Sequence, residues 1–112
     1  NNGLVMGAEI PAWTDRSDAS LTCTTSIDGR QVGQGGATTL PGGLRAAFAF
    51  ALSRSARRGR PLKAGDLIAT GNATGIHDIL PGQQARIEFH GHGSIEALAA
   101  AAGPKDEGDW RA

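Results

Sequence analysis

The chain has 112 residues, with eleven basic and eleven acidic side chains that cancel to a formal charge of zero. That length supports at most one domain with one core, and the balance gives nothing global to recruit nucleic acid or an anionic membrane. No apolar run reaches the length of a membrane span, and a single cysteine, Cys23, excludes an intrachain disulfide and a cysteine-based zinc site. A cytoplasmic protein is the expectation. Seventeen glycines against three phenylalanines, two tryptophans and no tyrosine imply many turns, a modest core and a sheet-rich body that leans on a partner.

In chain order, Leu4-Val5-Met6 between Gly3 and Gly7 reads as a strand cut into near its beginning, with further chain expected upstream. Ala8 to Ala19 is irregular. Its Glu9 and Asp15 are imaginable metal ligands but fit a solvated loop better, and Trp13 reads as a packing anchor. From Leu21 the alternation is clean: Leu21, Cys23, Thr25 and Ile27 share one face, with Thr22, Thr24 and Ser26 on the other. Cys23 thus falls on the buried side, as a small hydrophobe rather than a nucleophile. Asp28-Gly29 predicts a type I′ hairpin turn into a return strand at 30–34. The glycines that follow, Gly33, Gly35, Gly36, Gly42 and Gly43, lack the Gly-Lys-Ser/Thr ending of a phosphate loop, which argues against a nucleotide site.

Leu44 to Arg58 is predicted as a helix, with an apolar stripe of Leu44, Ala47, Phe48, Ala51 and Leu52 expected to lie across the sheet. Arg54, Arg57 and Arg58 in its last turns complement the helix dipole, which is favoured over a nucleic-acid patch. Gly59 and Pro61 stop the helix. Leu67-Ile68-Ala69-Thr70 reads as a short strand, followed by Gly71-Asn72-Ala73-Thr74-Gly75, small residues that expose backbone N–H groups and hydroxyls where a carboxylate or carbonyl oxygen could be held. An ordinary loop is the competing account of the same residues. Leu80 to Gln83 forms a tight turn, and Ala85, Ile87 and Phe89 alternate against Arg86, Glu88 and His90 in another strand. Glu88, His90 and His92 would point the same way on a straight strand, a spacing open to metal ligation. Gly91 and Gly93 favour a bulge or turn there, and a solvated polar face is preferred. Ser94 to Leu98 begins a last strand. The tail is expected to fray, with 106–112 flexible and Trp110 docking on a neighbour.

These residues carry a resemblance. Leu4-Val5-Met6-Gly7, Ile27-Asp28-Gly29-Arg30-Gln31-Val32-Gly33-Gln34-Gly35, Leu40-Pro41-Gly42-Gly43-Leu44-Arg45-Ala46-Ala47, the run Arg58 to Gly71, Leu80-Pro81-Gly82 and Gly91-His92-Gly93-Ser94-Ile95 occur in the order of the carboxyl-terminal part of 2-keto-4-pentenoate hydratases. Residues 1–105 resemble that part of the fumarylacetoacetate hydrolase superfamily, which also contains oxo-acid decarboxylases. Leu62 to Gly71 is the most specific piece.

The resemblance implies an α+β, mainly β fold: a rolled mixed β-sheet with one main helix packed on it. It implies a lyase of aromatic catabolism that hydrates a 2-hydroxydienoate, with Mg2+ or Mn2+ held by carboxylates at the oxalyl end of a 2-oxo acid. The family's metal-binding glutamates and its catalytic lysine and acid lie upstream of the resembling stretch, with Asn1 or Asn2 at most a remnant of the segment before it. The chain alone is therefore expected to bind no metal and to be inactive. Wall positions transfer: Thr70, Gly71, Asn72 and Thr74 near the substrate carboxylate, and Gly35 and Gly36 as close-approach backbone. His77 and Asp78 match no family acid or base and are weak catalytic candidates. Expected partners are a small 2-oxo acid, once an upstream half completes the site, and further copies of the chain through exposed sheet edges. The alternative is a non-catalytic remnant that folds as an oligomer or a small-molecule binding module.

Overall fold

The computed structural model describes residues 3–103. Asn1, Asn2 and the tail 106–112 with Trp110 lie outside the described residues. The architecture is a small α+β unit: β1 (Thr22–Ile27), β2 (Arg30–Gly36), α1 (Gly43–Arg57), β3 (Gln84–Phe89) and β4 (Ser94–Leu98), with one-turn 3-10 helices at Trp13–Asp15, Asp18–Ser20 and Ala37–Thr39. The sheet runs β2-β1-β3-β4 and every pair is antiparallel. No parallel pairing of the expected mixed sheet occurs among the described residues. A parallel neighbour needs a crossover returning in the same direction, and this stretch closes its pairs by hairpins and one long antiparallel return.

Local chemistry explains the elements that form. Asp28 and Gly29 both take positive φ, 50° and 77°, which is the type I′ turn that matches the twist of β1 and β2. The same turn is tied to β3, since Asp28 N–H donates to Gln84 O and Gln84 N–H donates to Asp28 Oδ1, both at 2.9 Å. At the end of α1, Gly59 is left-handed (φ 80°). Gly59 N–H donates to Ala56 O and Arg60 N–H to Ser55 O, each at 3.0 Å, so the last helical carbonyls are satisfied in a Schellman motif. At the other end no side chain of the helix itself caps it; the carboxylate of Asp18 accepts from Leu44 N–H at 3.3 Å. Gly91 and Gly93, both with positive φ, turn the chain between β3 and β4, as their spacing predicts.

The sheet has two unlike faces. One carries Cys23, Thr25 and Ile27 of β1 beside Phe89, Ile87 and Ala85 of β3, and the other carries Thr22, Thr24 and Ser26 beside Glu88 and Arg86. Among the described residues, Cys23, Thr25 and Ile27, with Leu21 and Ala37, make up the buried core, and no large side chain is fully enclosed.

Three expectations are corrected. The stretch at Leu4-Val5-Met6 and that at Leu67-Ile68-Ala69-Thr70 are not strands. Neither makes a backbone–backbone hydrogen bond among the described residues, and Leu4, Met6 and Leu67 are 68%, 68% and 63% exposed. Strand sequence alone does not make a strand; its amide groups need a neighbour to pair with. Nor does α1 pack closely on the sheet. Its closest companion is the turn Ala37–Thr39, and its stripe is only partly covered, with Phe48 edge-on to Trp13 at 5.7 Å between ring centroids. Trp13 is the packing anchor that its composition suggests. Between the helix and the sheet lies a cavity.

Candidate functional site: a glycine-seated loop beside an apolar cavity

The loop that follows Thr70 crosses the core face of the sheet at β2. Its seat exists because β2 offers glycine there. A Cβ on Gly35 would run into the carbonyl of Ala73, and one on Gly33 into the carbonyl of Thr74 and the ring of His77. Gly35 is therefore a close-approach position for the protein's own backbone. Gly36, at φ 133°, instead lies against the carbonyl of Leu21.

Side chains then fix the loop in its seat. Thr25 Oγ1 and Thr74 Oγ1 share a hydrogen bond of 2.8 Å, the partner that a buried threonine hydroxyl needs. Thr39 Oγ1 lies 3.0 Å from the carbonyl of Ala73 and 2.7 Å from that of Gly36 and can share its proton between them. His77 Nε2 is 2.9 Å from the carbonyl of Thr74 and must be the donor, because a carbonyl can only accept.

The carbonyls of Ala73 and Thr74 thus face the sheet. In a trans peptide the next N–H points the opposite way, so Thr74 N–H is directed off the sheet. The N–H groups of Gly71, Asn72, Ala73 and Thr74 have no hydrogen-bond partner among the described residues, whereas Gly75 N–H donates to Asn72 O at 3.3 Å. Free amides carry partial positive charge, suited to an anionic oxygen.

Thr70 and Ala73 also line the cavity, of about 640 Å³, which extends over Leu21, Cys23, Ala37, Leu40 and Phe89 to Trp13 and Phe48. Its surface is mostly apolar, and the ionisable groups along it are Glu9, Asp66 and His92. Burial pushes the Cys23 thiol up, holding it neutral and unreactive. Asp66 is engaged in its own turn, accepting from Lys63 N–H at 2.8 Å.

Thr70, Ala73 and Gly36 are brought to the cavity wall, Thr74 is bonded to Thr25 of β1, and Gly71 and Asn72 are exposed. His77 and Asp78 diverge: His77 is half-buried under the loop, while Asp78 is exposed and borders a separate depression with Ile27 and Arg30. Glu88, His90 and His92 do not converge either. His90 places Nδ1 2.7 Å from Thr22 Oγ1 and Nε2 2.8 Å from Thr24 Oγ1 on the polar face, whereas His92 reaches the cavity. Among the described residues no three His, Cys, Asp or Glu side chains are grouped to hold a metal. Sequence reasoning missed Thr25 and Thr39 as anchors. A hydroxyl at an inward strand position, where an aliphatic would serve the core, was the available signal for Thr25.

No family model and no curated protein matches the chain. Among solved structures it is similar to 4-oxalocrotonate decarboxylase from Pseudomonas putida G7, complexed with calcium and acetate, with a TM-score of 0.71 at 24% identity. The chain shares its fold with part of that enzyme. The likeness covers 83% of this chain and 36% of the decarboxylase, so the chain spans little more than a third of its length. The decarboxylase belongs to the fumarylacetoacetate hydrolase superfamily, the group that the sequence motifs resemble. No helix among the described residues is long and apolar enough to cross a membrane.

Proposed function

We propose that the chain is the carboxyl-terminal part of a cytoplasmic 2-oxo acid enzyme of the fumarylacetoacetate hydrolase superfamily, a hydratase or decarboxylase, and that it supplies the substrate's carboxylate seat and apolar wall. The free amides of residues 71–74, in the loop whose Thr70 and Ala73 line an apolar cavity, carry this reading. A short anionic acid would place its carboxylate on those N–H groups beside the Thr70 hydroxyl. Its hydrocarbon end would lie along Cys23, Leu40 and Phe89, out of water. Held at one end and desolvated at the other, a 2-hydroxydienoate is fixed for proton transfer and addition of water at its distal carbon.

The Mg2+ or Mn2+ implied by the resemblance does not fit the described residues: both ring nitrogens of His90 are taken by threonines, and no three His, Cys, Asp or Glu side chains are grouped among them. The share of this chain is binding and orientation, and acid–base groups would come from polypeptide that completes the cavity. The test is an amide NMR titration with pyruvate, together with turnover of a 2-hydroxydienoate with magnesium or manganese and with chelator, the hydrated product being identified. Saturable shifts at 71–74 without turnover are expected. Shifts confined to other regions would sink the reading.

A second reading, self-association without catalysis, is favoured by the unpaired apolar stretches 4–6 and 67–70. Sedimentation at micromolar concentration tests it: a dimer or larger species supports it and a monomer removes it.

A further inference from the structure

We infer that His77 is a positioning residue for the carboxylate seat: its imidazole, lodged against Gly33, holds the carbonyl of Thr74 toward the sheet and so keeps Gly75 N–H, on the far side of the same peptide, on Asn72 O, closing the turn that carries the amides of 71–74. The inference rests on the seat proposed above. Three observations meet at this ring. Nε2 donates to Thr74 O at 2.9 Å and lies 3.4 Å from Thr74 Oγ1, whose hydroxyl is bonded to Thr25 of β1. The ring carbon Cε1 and Nε2 occupy the space that any side chain at residue 33 would need. And the ring is half-buried, three residues beyond the threonine that it holds, in a stretch with no regular secondary structure of its own.

A loop without ladder hydrogen bonds keeps one conformation only if side chains impose it. Here Thr39 fixes the carbonyl of Ala73, and His77 that of Thr74. Releasing the second carbonyl lets the peptide plane between Thr74 and Gly75 rotate, which breaks the Gly75 N–H bond to Asn72 O and opens the turn that carries the free amides. Only the tautomer with hydrogen on Nε2 can do this.

The experiment begins with the unaltered chain: long-range proton–nitrogen NMR of the ring is expected to show the proton on His77 Nε2, and an Nδ1–H tautomer would overturn the inference. His77→Ala and His77→Gln follow, compared by the amide spectrum and by pyruvate titration. With alanine, the amide signals of Ala73, Thr74 and Gly75 are expected to broaden or move while those of β3 and β4 stay in place, and pyruvate to bind at least fivefold more weakly. Glutamine, which can present an N–H at similar reach, is expected to restore much of both. Unmoved loop amides in the alanine variant would overturn the latch whatever happens to pyruvate. A disturbed loop in a protein that never bound pyruvate would instead keep the latch and remove the carboxylate reading. If the alanine variant fails to fold, the tautomer and the glutamine variant still decide.

Discussion

The seam where the loop 70–77 meets β2 and the flank formed by 4–6 and 67–68 border the same cavity and have opposite constructions. At the seam, two glycines admit two carbonyls, and Thr25, Thr39 and His77 bind the loop. On the flank, Leu4, Val5, Met6 and Leu67 are all more than half exposed, and no backbone group of these stretches is paired with backbone among the described residues. Irregular polypeptide is held where side-chain hydroxyls and missing Cβ atoms converge on it. Strand-like polypeptide is left open where no neighbour offers a ladder. Regular structure is thus not what decides which part of the cavity wall is firm.

Substitutions can break that comparison. The largest effect is expected on the firm side, in its core: Ile27→Ala, at a position 9% exposed, should lower stability by about 2–4 kcal/mol in urea denaturation. Next comes Gly35→Ala, whose Cβ meets the Ala73 carbonyl; separating loop from sheet should cost about 1–3 kcal/mol, with shifts concentrated at residues 71–77 in the amide spectrum. A variant as stable as the parent would mean that the seam is loose.

Acidity probes the same side more gently. Cys23 has its thiol pushed up by burial, so the folded chain holds that proton more tightly than the unfolded chain does. Its contribution to stability is intact below the ordinary thiol range and is lost as pH rises above about 8.5. Denaturation of the parent should therefore weaken more steeply between neutral and alkaline pH than that of Cys23→Ala. The smallest effects belong to the flank. Met6→Ala and Leu67→Ala should each change stability by less than about 0.5 kcal/mol in the monomer. A loss several times larger, dependent on protein concentration, would sharpen the comparison by showing that the flank is covered by another copy.

How far the sequence foretold this depends on how far apart the cooperating residues lie. The Asp28-Gly29 turn, the Schellman stop at Gly59 and the alternation of β1 and β3 are local, and each is readable within a few residues. The strands expected at 4–6 and 67–70 fail because pairing is non-local. Period and composition report willingness to pair, not the presence of a partner. The seat is harder still. Gly35 reads as a close-approach position, yet what approaches it and Gly33 comes from Ala73 and Thr74, about forty residues downstream. The seat's amides were legible in type, from small residues after a strand-like run. How the loop is held was not, since Thr39 fixes the carbonyl of Ala73 and His77 that of Thr74.

The double hydrogen bond between Asp28 and Gln84 has a consequence for how the chain assembles. It joins residues separated by 56 positions, and the enclosed segment contains α1 and the whole of the loop. Closing a loop of that length costs roughly 3.5 kcal/mol of chain entropy beyond a constant. The β1–β2 hairpin, which closes over two residues, bears almost none of that cost and is free to form on a microsecond scale. Assembly is therefore ordered: an early hairpin offers Asp28 as a latch, and the docking of β3 beside it sets the rate. Pulse-labelled hydrogen exchange should find the β1–β2 amides protected before those of β3 and β4, and simultaneous protection would show the sheet forming in one concerted step.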